Sequence, residues 1–185
     1  TKPLRVLGDP EVVLTSVERK KMFDMAMEMH DLQRRATEVG NLLGPVNQQL
    51  PEIAKTIAGR TDIPADVKAS FDAFNKEMTT TMQRFAAAAG GGRGGGGGRG
   101  GGSSTEPNPI ARIGVAKNAL TGGMPMTAQA AQAYNEAKTQ APKAIAEASA
   151  LAAKASAISE TLAKHNITLK VPPPAKPTTS PSIER

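Results

Sequence analysis

The chain has 185 residues and a formal net charge of +6; hydrophobic residues make up 39% but aromatics only 3%, as four Phe, one Tyr and no Trp. So few aromatics exclude a β-propeller, a lectin fold or an aromatic-lined sugar cleft within these residues. The absence of Cys excludes disulfides, thiolate metal sites and Cys nucleophiles, and two His and eight Met among Ala-rich stretches point to helices rather than a metalloenzyme.

The charge is thinly spread. Residues 1–89 hold twelve basic and twelve acidic side chains, and residues 106–185 hold nine and five. A nucleic-acid-binding domain concentrates positive charge on one face; here the excess reads as solubility, with some contact to anionic surfaces.

Leu4-Arg5-Val6-Leu7 alternates like a strand, and Gly8-Asp9-Pro10 ends it. Four strand residues with no pairing partner cannot stand alone. Residues 1–12 therefore read as the last strand of a domain lying upstream, and the chain as a fragment. Asp9 is placed to pair with Arg5 or to cap the turn. No run of about 18 apolar residues occurs, so no membrane span is expected.

Residues 15–88 read as a helical hairpin. Thr15-Ser16-Val17-Glu18 is a capping box, with Thr15 as N-cap. Met22, Met25, Met29, Leu32, Ala36, Val39 and Leu43 alternate spacings of three and four, an a/d heptad seam. The register continues through Val46, Leu50, Ile53 and Ile57 across Gly44-Pro45 and Pro51, so a kinked helix over 16–58 is expected, about 65 Å long. Gly59 stops it, and Pro64 suits the next first turn. Val67, Phe71, Phe74, Met78, Met82 and Phe85 form the second seam. The short turn implies an antiparallel pair, with Met against Phe in an adaptable core.

The expected main core is Met25, Met29, Leu32, Phe71, Phe74 and Met78. Counting from the turn puts Phe71 and Phe74 near Leu50 and Ile53, and Phe85 near Val39. Residues 17–32 then overhang the second helix, and the Ala-rich helix further on is expected to cover them.

Residues 89–106 form a Gly/Arg-rich linker with no side chains to pack. Residues 107–168 form the Ala-rich helices. Asn108-Pro109 opens a short one with Ile110, Ile113 and Leu120 on one side, and Gly122-Gly123 ends it. Thr127 caps a long helix carrying Ala131, Tyr134, Ala141, Ile145, Ala152, Ala155, Ile158 and Leu162, which Pro142 kinks or splits. Asn166 takes the left-handed stop, and 169–185 is a Pro-rich tail. The fold class is all-α: an antiparallel hairpin plus a C-terminal helix in a three- or four-helix bundle. The alternative is an elongated hairpin with a loosely attached third helix.

Candidate chemistry is sparse, and no catalytic, cofactor-binding or metal-binding residue is assigned. Arg93 and Arg99 sit in Arg-Gly-Gly steps, but RNA-binding segments of that kind carry many repeats with stacking aromatics. The linker reading is preferred, with weak RNA binding as an alternative. The Gly run lacks the Lys-Ser/Thr and preceding strand of a phosphate loop. His30 has Asp24, Glu28 and Asp31 nearby on one helical face, but no HExxH or second His at i+4. His165 belongs to a helix C-terminus, where a cationic imidazole is stabilised. Tyr134 reads as a packing residue. The Met22, Met25 and Met29 stripe reads as core, with Met27 off the seam. Lys20-Lys21 and Arg34-Arg35 read as solvated faces.

The opening Thr1-Lys2-Pro3-Leu4-Arg5-Val6-Leu7-Gly8-Asp9-Pro10-Glu11-Val12 resembles the end of an immunoglobulin- or fibronectin-like module in large bacterial proteins with sortilin-type or BNR-repeat β-propellers. Many of these are labelled glycosyl hydrolases. The helix from Thr15 to Phe23 resembles their C-terminal helical region, as do Pro125-Met126-Thr127-Ala128-Gln129-Ala130 and Leu162-Ala163-Lys164-His165-Asn166-Ile167. The resemblance implies a non-catalytic helical spacer or assembly region of an exported protein, secreted or in the cell envelope. Its partners would be the upstream propeller and Ig-like domain, with a protein or peptide as a further one. The alternative is an accessory part of a glycosyl hydrolase whose active site lies in the propeller. No Asp-box (S-x-D-x-G-x-x-W) occurs in this sequence, so no catalytic residue carries over.

Overall fold

The computed structural model describes residues 14–89, 108–122 and 124–173. The expected strand at 1–12, the linker from residue 90 on, and Pro174 onward in the tail lie outside them. Among the described residues the chain is all-α: α1 (Ser16–Ala58), α2 (Ala65–Ala89), α3 (Pro109–Thr121) and α4 (Ala128–Ala163).

The ends of these helices follow local chemistry. At α1, the Thr15 hydroxyl accepts from the Glu18 N–H at 3.2 Å, and the Glu18 carboxylate accepts from the Thr15 N–H at 2.8 Å, completing the capping box. The Thr15 N–H, and after it the Thr15 hydroxyl, which donates to the same carboxylate at 2.8 Å, hold the Glu18 carboxyl below its usual range. Asn108 caps α3 by accepting from the Ile110 and Ala111 N–H groups, with Pro109 at the first helical position. Thr127 accepts from the Ala130 N–H at 3.1 Å to open α4. Pro45, Pro51 and Pro142 all lie inside helices. Each removes one backbone donor, yet α1 and α4 run through them, because the apolar seams on either side stay buried.

Asn166 closes α4 at φ 58°. The Ile167 N–H reaches the Leu162 carbonyl at 3.1 Å and the Asn166 N–H reaches Ala163 at 3.0 Å. This is a Schellman stop with Asn in the left-handed position, and Leu162 and Ile167 are both buried beside it.

The helices divide between two compact units. The first takes the described residues up to Thr37 and those between Arg84 and Ala146. Its core comprises Met22, Met29, Leu32 and Ala36 of α1, Ile110, Ile113, Ala116 and Leu120 of α3, and Ala133, Tyr134, Ala137 and Ala141 of α4, with Phe85. Ala at four-residue spacing lets α4 pack close to its neighbours. Coverage of the 17–32 overhang is thus shared: α3, with four buried residues, joins α4.

The second unit takes Glu38–Gln83 and the described residues from Glu147 on. Here α1 and α2 form the antiparallel hairpin, burying Leu43, Val46, Leu50 and Ile53 with Phe71, Phe74 and Met78. From α4 come Ala148, Leu151, Ala155 and Leu162. The six-residue main core is therefore corrected. Met29 and Leu32 belong to the first unit and Phe71, Phe74 and Met78 to the second, while Met25 is only half-buried. The reason is length, since α2 has 25 residues against 43 in α1 and folds back along only part of it.

Candidate functional site: an apolar groove and its strap

In the second unit, a groove of about 410 Å3 opens between α1 and α4. Leu42, Leu43 and Val46 form one wall. Ser149, Ala152, Ala153 and Ser156 form the other, at the spacings that place residues along one helical face. The backbone of both walls is spent on helical hydrogen bonds, so the groove offers an apolar surface with few free donors or acceptors.

Val171 and Pro172 also line the groove. They belong to an extended strap, residues 167–173, that turns back after the Asn166 stop. Ile167 and Leu169 are buried and Val171 half-buried, whereas Thr168 and Lys170 are exposed, the period of two of an extended chain lying on a surface. Side chains of the helices grip its backbone. Ser159 Oγ donates to the Leu169 carbonyl at 2.7 Å. The Gln49 amide takes both groups of Lys170: Nε2 donates to its carbonyl and Oε1 accepts from its N–H, each at 2.9 Å. The packed chain thus runs past residue 168.

Arg60, in the α1–α2 turn, donates from Nη1 to the His165 carbonyl at 2.6 Å and from Nε and Nη2 to the Asp62 carboxylate. The Arg60 guanidinium holds the Asp62 carboxyl down to about 2 and is itself pushed up. His165 thus serves the helix terminus through its backbone carbonyl as well as its position.

The first unit holds the other polar cluster. The Tyr134 hydroxyl donates to the Glu28 carboxylate, and Lys138 Nζ lies 3.0 Å from that carboxylate. The bond from Tyr134, then Lys138, keeps the Glu28 carboxyl below its ordinary range, while burial and Glu28 push the Tyr134 phenol up. A carboxylate bonded in this way can act as an ion-pair partner or as a base. Lys117 Nζ donates to Gln33 at 2.8 Å and lies 3.4 Å from His30 Nδ1, and Arg112 Nε lies 3.2 Å from the Glu136 carboxylate.

The carboxylates that share a face in the sequence are engaged separately. Asp24 pairs with Lys20 and Asp31 with Arg34, each at 2.6 Å, and Glu28 turns to α4. His30 meets Lys117 instead of a carboxylate. Among the described residues, no group of three or more His, Asp or Glu is placed to hold a metal ion. Tyr134 packs in the core as expected, 8% exposed, and adds the bond to Glu28. Sequence reading missed the groove and the grip of Gln49 on Lys170; the alternation Ile167, Leu169, Val171 was the available signal. Arg5, Asp9, Arg93 and Arg99 lie outside the described residues. No described helix is long and apolar enough to cross a membrane.

No protein-family model, no curated protein and no solved structure matches this chain.

Proposed function

We propose that this chain is a non-catalytic helical spacer or assembly region of a larger exported protein of the sortilin-like or BNR-repeat kind. The observation that carries the non-catalytic reading is where polarity goes. Among the described residues no charged side chain is buried, and the buried ones are apolar apart from the Tyr134 hydroxyl, while ion pairs such as Lys20–Asp24 and Lys154–Glu77 are solvent-exposed pairs on helix surfaces. Pairs of that kind add solubility and about 0–1 kcal/mol each; they do not form a reaction centre. Among the described residues, the Glu28 carboxylate that meets the Tyr134 phenol is also paired with Lys138 in an ion pair exposed at the helix surface. The parentage and the export rest on residues 4–12 and the helix that follows.

The test is an assay of the purified chain against a panel of aryl glycosides. Release of phenol at the rate of the buffer blank is expected. Turnover above the blank that disappears with Glu28→Gln would overturn the spacer reading in favour of a hydrolase.

A further inference from the structure

The strap is held in two different ways along its length. Ile167 belongs to the stop of α4, since its N–H closes on the Leu162 carbonyl. From Leu169 on, the hold comes from side chains of the helices: Ser159 takes the Leu169 carbonyl, and Gln49 takes both backbone groups of Lys170. Taking the N–H and the carbonyl of one residue is what an opposed residue does across an antiparallel strand pair. A side-chain amide that does so reads backbone and not side-chain identity, and the Thr168 and Lys170 side chains are exposed. The Gln49 amide is also tied to its own helix, because Nε2 donates to the Pro45 carbonyl one turn earlier at 2.8 Å. That bond keeps the other Nε2 proton and Oε1 aimed at an extended chain.

Side-chain selection falls to the apolar positions. Leu169 is 3% exposed, whereas Val171 is half-buried and lines the groove with Pro172. With the strap in place the groove still holds about 410 Å3, between Leu42, Leu43 and Val46 on one wall and Ala152 and Ala153 on the other. A larger apolar side chain at the position of Val171 would bury more surface than Val does, so the strap underfills its own seat. Proline at the next position brings no backbone N–H for apolar walls to leave unsatisfied.

We propose that α1 and α4 of the second unit form a docking site for an extended peptide segment of the pattern apolar, any, large apolar, Pro, and that residues 168–172 are the cover that fills it in cis. A tethered cover has an effective concentration on the order of millimolar. A partner segment displaces it by filling the space that Val171 leaves open. The site requires nothing of the parent protein proposed above.

Two peptides labelled with fluorescein at the N-terminus are the probes: Thr-Leu-Lys-Val-Pro-Pro, copied from the strap, and Thr-Leu-Lys-Phe-Pro-Pro. Binding is read by fluorescence anisotropy on the full chain, on a chain ending at Ile167 and on full-length Leu169→Asp, with circular dichroism reporting the helices of each. The opened chains are expected to bind the Val peptide at least tenfold tighter than the full chain does. The Phe peptide should bind them about five- to tenfold tighter than the Val peptide. Gln49→Ala in the shortened chain should weaken both peptides about tenfold with the helical signal unchanged. One opened chain that keeps its helices suffices for the comparison. No binding to it, binding as tight to the full chain, or no preference for Phe would each overturn the proposal. Loss of the helical signal in both opened chains would do the same, since the strap would then be part of the core and not a cover.

Discussion

Phe74→Ala tests the hairpin core of the second unit. Phe74 is 3% exposed, between Phe71 at 0% and Met78 at 0% on the buried face of α2. Truncating a buried Phe costs about 3–5 kcal/mol in transfer and cavity terms together, and the better helix propensity of Ala returns roughly 0.5 kcal/mol. A net loss of about 2.5–4.5 kcal/mol is expected, lowering the melting temperature by roughly 5–18 °C for a chain of this size. Urea unfolding followed by helical circular dichroism measures the loss, with an unchanged slope showing that it lies in stability and not in the breadth of the transition. Met25→Ala is the comparison. Met25 is on the same nominal seam of α1 but half-buried, and about 1 kcal/mol is expected, below the usual range for a buried Met. A loss under about 1 kcal/mol at Phe74, or equal losses at the two sites, would refute the reasoning that this stretch of α2 and not the Met-rich start of α1 anchors the hairpin.

Two further outcomes follow from local geometry. Asn166 sits at φ 58°, so Asn166→Gly should melt at or slightly above the parent temperature, whereas Asn166→Val should lose about 1–2 kcal/mol, since a β-branched residue is disfavoured there; a thermal melt in which Val matches Gly would contradict the left-handed stop. The Asp62 carboxyl is held at about 2, below its usual 3.8, by hydrogen bonds from Arg60; because its folded value is depressed, its contribution is fully present above pH 3.8 and fades as pH falls toward 2, so Asp62→Asn should flatten the acid limb of a stability–pH curve in that window, and an unchanged limb would show that the Arg60 contact stabilises nothing.

How far the sequence spoke depends on how uneven each helix is. In α1 and α2, large apolar residues stand among charges, so the three–four spacing admits one face, and ten of the eleven α1 seam residues are buried. In α4, Ala occurs on every side of the helix. Spacing alone then fits several faces: Ala131, Ala152 and Ile158 prove half-buried, while Ala133, Ala137, Ala148 and Leu151 do the packing. Caps were legible because each is a contact within a few residues, as at Thr15, Asn108, Thr127 and Asn166. The bonds between Tyr134 and Glu28, and between Gln49 and Lys170, join residues more than a hundred positions apart. They depend on the axial register of two helices, which no short stretch of sequence encodes.

The interleaving of the two units has a consequence for a chain made from one end. The second unit draws on Glu38–Gln83 but also on Leu151, Leu162 and Leu169 of the late chain. At a synthesis rate of about 5–20 residues per second, Leu50 waits roughly 6–24 s before Leu169 exists. Through that interval the faces of α1 and α2 destined for α4 and the strap have no native cover. The hairpin, the earliest structure whose two halves lie side by side in sequence, is what the nascent chain has to shelter them. Its stability alone therefore sets how much greasy surface a half-made molecule shows to its neighbours, and the chain's readiness to aggregate while young is governed by Phe71, Phe74 and Met78, not by the finished fold.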